Sequence, residues 1–267
     1  MRMPDMRPLS LVADMRGEAA LSFLPERGQP PAETLIFADG LTAIDAWGAA
    51  ALRTSIELYA RRQQQQVTIG APKDPAAWRL LYSLLEKDCP AHLRLSDDTT
   101  PPPPSRRPSA IVVPTIRAPT LERADEIAEV ILDIPPSRLT RALRFVAQEV
   151  PELVANALTH ADRSPTQPVL CVFYDRDEDE VQLVLCDLGA TYDGDAEAAE
   201  SLLAAVQAHP SGGLTTAVEA AAARGIDATL TLAAGSGRVY WRRGKWSNAS
   251  AQAVSGFTAA LTVPIAD

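Results

Sequence analysis

Over the first hundred residues, short apolar runs alternate with longer segments of helical periodicity. PLSLVAD and AALSFL, within residues 7–28, predict one or two short strands, and ETLIFADGL predicts another. AIDAWGAAALRTSIELYARRQ then places Ala49, Leu52, Ile56 and Tyr59 three to four residues apart, the spacing of one apolar helix face. QVTIGAP follows as a strand. DPAAWRLLYSLLEKD opens a second helix on Asp74, a capping residue, with Pro75 in the first turn, where its missing N–H costs nothing. AHLRLS closes the series as an edge strand. Strands alternating with helices predict a small α/β unit over residues 1–98.

The tract TTPPPPSRRPS, Thr99 to Ser109, breaks this pattern. Consecutive prolines cannot continue a helix and favour an extended conformation, so residues 99–109 read as a semi-rigid linker to a second domain, 110–267. That domain opens with the strand-like AIVVPTI. TLERADEIAEVILDI is periodic through Leu121, Ala124, Ile127, Ala128 and Ile131, and Pro135 and Pro136 end it. In SRLTRALRFVAQEVPELVANALTHA, Pro151 either starts a fresh helix or kinks a continuous one. PVLCVFYDRDEDEVQLVLCDLG reads as two strands joined by a solvated acidic turn. An Ala-rich helix (DAEAAESLLAAVQAH), a glycine pair, the helix LTTAVEAAAARG and paired strands complete the chain.

Composition adds limits. The chain has 267 residues, 46% of them hydrophobic and 22% charged, as in globular proteins. Its net charge of −9 argues against a protein built to neutralise a phosphate backbone or an anionic membrane. Cys89, Cys171 and Cys186 are too few for a disulfide framework and lack metal-ligand spacing; buried reduced thiols are expected. No apolar run reaches about 18 residues, and no apolar core precedes a cleavage site near Met1, so a cytoplasmic protein is expected.

The chemistry gathers in PELVANALTHAD. On a helix, Glu152, Asn156 and His160 share one face, a site or merely the polar edge of an amphipathic helix. An asparagine oxygen suits a magnesium ion that keeps several waters, and a glutamate can deprotonate an attacking water. Further on, VLCDLG ends a strand in Asp187, which can accept a hydrogen bond from an exocyclic amine; Gly189 lets the backbone turn beside a base. HPSGGLTTAVEAA puts Gly212 and Gly213 at the start of a helix, where backbone N–H groups favour anions.

In this order, the motifs resemble those of the GHKL (Bergerat-fold) ATPases, the family of histidine-kinase catalytic domains, gyrase-type ATPases and anti-sigma-factor kinases. PELVANALTHA is similar to the N box, CDLG to the first glycine box, SGGL to the second, and GFTAALTVPI to the closing strand, over roughly residues 110–267. The resemblance implies a two-layer α/β sandwich with a mixed sheet that binds ATP and Mg2+. Asn156 would meet the metal and Asp187 the adenine amine. Gly212, Gly213 and Leu214 would lie near the phosphates, and Glu152 would be the general base. Thr191 stands where the first box has a second glycine, Thr215 and Thr216 shorten the second box, and the intervening lid is short and acidic. The histidines are His92, His160 and His209, so the helices between Leu121 and Val150 hold no phosphoacceptor and a self-phosphorylating histidine kinase is not expected.

The first half resembles a STAS domain, the fold of anti-sigma-factor antagonists, through Ile44, Asp45 and Gly48. The hydroxyl expected just before the glycine is replaced by Trp47, with Ala46 before it. A basic, aromatic stretch (Tyr240, Trp241, Arg242, Arg243, Lys245, Trp246) reads as a hairpin that meets a protein partner, meets nucleic acid or packs as ordinary strands. Together these features predict an ATPase or Ser/Thr protein kinase of anti-sigma type acting on a protein partner, with room for a homodimer. The alternatives are a nucleotide-sensing scaffold without phosphotransfer and a DNA-associated ATPase.

Overall fold

The computed structural model describes residues 9–11, 14–24, 35–63, 67–86, 93–95, 110–117, 120–133, 140–160, 168–175, 178–188, 200, 202–204 and 213–265. The Pro-rich tract and Cys89 lie outside them, as does most of the Ala-rich segment after Gly189. Among the described residues, helices and sheets form an α+β arrangement in layers.

Before the linker, β1 (Leu9–Ser10), β3 (Leu35–Phe37), β5 (Val67–Ile69) and β6 (Leu93–Leu95) form a parallel sheet in the order β1-β3-β5-β6, with AHLRLS at its edge. A separate parallel pair joins β2 (Asp14–Met15) to β4 (Ala43–Ile44). AALSFL, expected as a strand, instead lies in a 3-10 helix, Gly17–Phe23. Gly17 turns the chain at φ 58°, and Ala20, Leu21 and Leu24 then reach the core at helical spacing. Helix α1 (Ala46–Gln63) and helix α2 (Pro75–Glu86) follow, and the Asp74 carboxylate accepts the Ala76 N–H at 2.9 Å, as its capping position predicts.

After the linker come β7 (Ala110–Arg117), helix α3 (Leu121–Leu132) and helix α4 (Thr140–His160). Next are β8 (Val169–Asp175), β9 (Glu180–Asp187), helix α5 (Gly213–Ala223), β10 (Thr229–Arg242) and β11 (Lys245–Pro264). Pro151 lies inside α4, which runs on through it. The ring forgoes one intrahelical hydrogen bond, and buried Val150, Leu153 and Val154 on either side hold the helix to its sheet.

The five-stranded sheet has the order β10-β11-β9-β8-β7, and all of its pairings are antiparallel. This corrects the mixed sheet that the family resemblance implied. For two of the pairings the reason is local: β8 and β9 are joined by the short acidic turn and β10 and β11 by a two-residue loop, connections that allow only antiparallel neighbours, whereas β7–β8 and β9–β11 are joined through longer excursions.

The sheet is apolar on both faces. Leu170, Val172, Leu183, Leu185, Leu230 and Leu261 point to a core shared with α3, α4 and α5. Their alternating neighbours Val169, Cys171, Phe173, Val184 and Cys186 point to a core shared with α1, α2 and the 3-10 helix. The α1 helix lies against β8 and β9, and α2 against β7. The parts on either side of the linker therefore share one hydrophobic core across the back of the sheet. At about 1.5–3 kcal/mol per fully buried large aliphatic or aromatic side chain, this face is a major part of the fold's stability.

Candidate functional site

Connectivity decides which ends of these elements meet. Helix α5 stops in a Schellman turn: the Ile226 N–H reaches Ala221 O at 2.8 Å, the Gly225 N–H reaches Ala222 O at 3.0 Å, and Gly225 adopts φ 67°. Only residues 224–228 separate α5 from β10, so the helix runs back antiparallel to that strand. Its C-terminus lies over the Thr229 end, whose register leads through Thr262 to Gln182. Its N-terminus, Gly213, faces the opposite end of the sheet, where Ala234 pairs with Phe257 and Phe257 with Asp187.

Helix α4 is fixed the same way. The Arg141 guanidinium donates to the Arg224 carbonyl, and Arg224 Nη1 donates to Gln148 Oε1 at 3.3 Å. The start of α4 thus sits beside the end of α5. Eleven residues of α5 span about 16 Å at 1.5 Å per residue, about the rise of α4 from Arg141 to Glu152. The turn carrying Glu152 and Asn156 therefore lies on the side toward the N-terminus of α5.

Asp187 completes the convergence. It is the last residue of β9, 2% exposed, and strand alternation puts it on the same face as Leu183 and Leu185, under the helices. Gly256 presses on it from the neighbouring strand. At φ 75°, a Cβ on Gly256 would lie 2.0 Å from the Asp187 carbonyl oxygen and 2.6 Å from Leu188 Cα. The bulge that lets β11 pass this point falls between Val254 and Phe257.

Glu152 is solvent-exposed on α4. Asn156 and His160 lie on the same helix, with side chains outside the described residues. Gly213 and Leu214 open α5; Gly189 and Gly212 lie outside the described residues. The chain thus brings Glu152, the Asn156 turn, Asp187 and the α5 N-terminus to one end of the sheet. Glu149, which the sequence reading passed over, sits one turn before Glu152 and is buried. Burial, with the nearby Glu152 charge, pushes its carboxyl up to about 7 against the pull of Arg224. Its signal in the sequence was a second acid three residues before the first. Gly256 was visible within the closing-strand motif, but not as a contact of Asp187.

Chemically, the arrangement offers a buried carboxylate at a strand end, a helix N-terminus that favours anions, and a nearby exposed carboxylate. Among the described residues no group of three or more His, Cys, Asp or Glu forms a metal cage. A magnesium ion held by one amide oxygen, phosphates and water needs none.

The STAS-like positions have a structural role. Asp45 is buried and caps α1, accepting N–H groups from Trp47 at 2.9 Å and Gly48 at 3.1 Å, and from Gly17 at 2.9 Å. Its carboxyl is pushed up to about 6 by burial, against these hydrogen bonds. A Cβ on Gly48 would meet Met15 O at 2.1 Å, so α1 can pass β2 only with glycine there. Trp47 is buried in the shared core, and the Ala46 N–H reaches Gln182 Oε1, on the five-stranded sheet, at 3.3 Å. The segment where a STAS hydroxyl is expected is therefore covered.

The Arg/Trp segment is a hairpin, and much of it is strand packing. Trp241 is buried and meets Trp246 edge to face, with ring centroids 5.2 Å apart. The Tyr240 hydroxyl lies 3.1 Å from Glu18 Oε2. Arg238 donates to the Gly235, Gly237 and Gln252 carbonyls and pairs with Glu18. Cys171 and Cys186 are buried thiols outside any disulfide, and burial raises both. No described helix is long and apolar enough to cross a membrane. No protein-family model, curated protein or solved structure matches the chain.

Proposed function

We propose that the chain is an ATP-binding regulatory protein of the GHKL type, acting as an ATPase or as a Ser/Thr protein kinase on a protein partner. What supports this reading is that strand register and helix connectivity direct the Glu152–Asn156 turn, Asp187 and the α5 N-terminus toward one end of the sheet. In this reading Asp187 accepts the adenine amine, and Gly212, Gly213 and Leu214 lie along the phosphates. Asn156 would hold Mg2+, which would supply charge neutralisation for the phosphates, and Glu152, exposed to water, would take a proton from the attacking group.

The test is calorimetry with Mg-ATP on the wild type and on Asn156→Ala. Micromolar binding lost at least tenfold in the variant supports the reading; no binding by the wild type sinks it. Glu152→Gln should keep binding and lose turnover.

A second reading, a nucleotide sensor without phosphotransfer, is favoured by Thr191 in place of glycine and by the buried Trp47, which stands where the STAS resemblance expects a hydroxyl. Binding with no turnover in either form identifies it. In that case ATP stabilises one state of the protein by mass action.

A further inference from the structure

Two surface features break local rules that the rest of the fold obeys. The first is on α3. Ala124, Ile127 and Ile131 bury one face, while Glu122, Glu126, Glu129 and Asp133 follow the i, i+4, i+7, i+11 spacing down the opposite face. Like charges four apart on a helix are destabilising, and the one described ion pair here is Arg123 to Glu126 at 2.6 Å. Val130 and Leu132, 58% and 52% exposed, flank the acidic stripe.

The second is the tip of the β10–β11 hairpin, where Arg242, Arg243 and Lys245 are exposed. Arg242 pairs with Lys245 across the two-residue loop Arg243–Gly244. Both loop residues have positive φ, 50° and 74°, a turn whose first position favours Asn, Asp or Gly. An arginine there costs about 1 kcal/mol. Arg242 also stacks 5.3 Å from the Tyr240 ring centre. Trp241–Trp246 packing and the Arg238 and Tyr240 contacts to Glu18 tie the hairpin down.

These surfaces cannot meet within one chain. The α3 helix packs on α4 and β7, at one edge of the sheet, and the hairpin is at the other edge. Four strand spacings, about 19 Å, separate β7 from β10. We infer that the cationic hairpin tip docks on the acidic, apolar-flanked face of α3 of a second copy of this chain. Such a contact is head-to-tail, so it grows into a ring or an open chain rather than closing as a two-fold dimer.

Sedimentation of the full-length protein at low ionic strength tests this. The weight-average mass should rise with concentration past that of a dimer and fall back to monomer in about 0.5 M salt. Arg242→Glu with Arg243→Glu should weaken association by about tenfold or more, as should Glu126→Lys with Glu129→Lys. Mixing the two charge-reversed proteins should restore it, since each then offers the other a matching pair of surfaces. A wild type that stays monomeric, reversals without effect, or no recovery on mixing would overturn the inference. So would a monomeric protein that binds short duplex DNA through the tip.

Discussion

Two residues carry the sharpest tests at the residue scale. Gly256 occupies a positive-φ bulge against the backbone of Asp187, with no room for a Cβ. Gly256→Ala should therefore push the end of β9 away, costing about 1–3 kcal/mol by thermal denaturation. It should also weaken the proposed nucleotide binding more than an equally destabilising change on the opposite face. Glu149 gives a pH signature. Its folded carboxyl lies near 7, above the ordinary 4.5, so the folded state holds this proton more tightly than the unfolded one. That contribution is complete below about pH 4.5 and is lost as pH rises through about 7. Glu149→Gln should leave stability unchanged near pH 4.5 and raise it by about 1–2 kcal/mol at pH 8, read from denaturation midpoints. A variant that destabilises equally at both pH values would mean that the carboxylate is needed in its charged form.

At the scale of elements, α1 shows how one carboxylate orders several segments. Asp45 caps the helix, ties down Gly17 and lies beside Gln182 of the five-stranded sheet. Asp45→Ala should cost about 1–2 kcal/mol for the lost cap, and more if the 3-10 helix comes loose with it, seen as a lower urea midpoint. Helices, caps and most strands were legible here because their signals are local: a period of three to four, Asp74 before Pro75, Gly225 after a run of alanines. AALSFL was misread because six residues of mixed apolar pattern fit a strand and a tight helix equally well. The turn at Gly17 and burial against α1 decided between them.

At the scale of the whole molecule, the two halves share the back face of the sheet, where Cys171, Phe173 and Cys186 are buried. Native protein treated with iodoacetamide at neutral pH should leave Cys171 and Cys186 unmodified, because burial keeps both thiols out of reach and protonated. Residues 110–267 expressed alone should expose that face. They should bind a hydrophobic dye and have both cysteines alkylated, or aggregate. Rapid alkylation in the intact chain would show that the halves part readily in solution.

What the sequence alone determined is what local physics encodes: the helices and their caps, the hairpins, the α+β class, and the order in which Glu152, Asn156, Asp187 and Gly213 occur. Spacing along one helix or at one strand end is enough to read these. Tertiary structure decided which ends come together, that the sheet is antiparallel throughout, and that Gly256 abuts Asp187. It also decided that α1 and Trp47 cover the back of the sheet. These depend on pairings between residues far apart in the chain, 136 positions in the case of Ala46 with Gln182, and no periodicity within either segment records its partner.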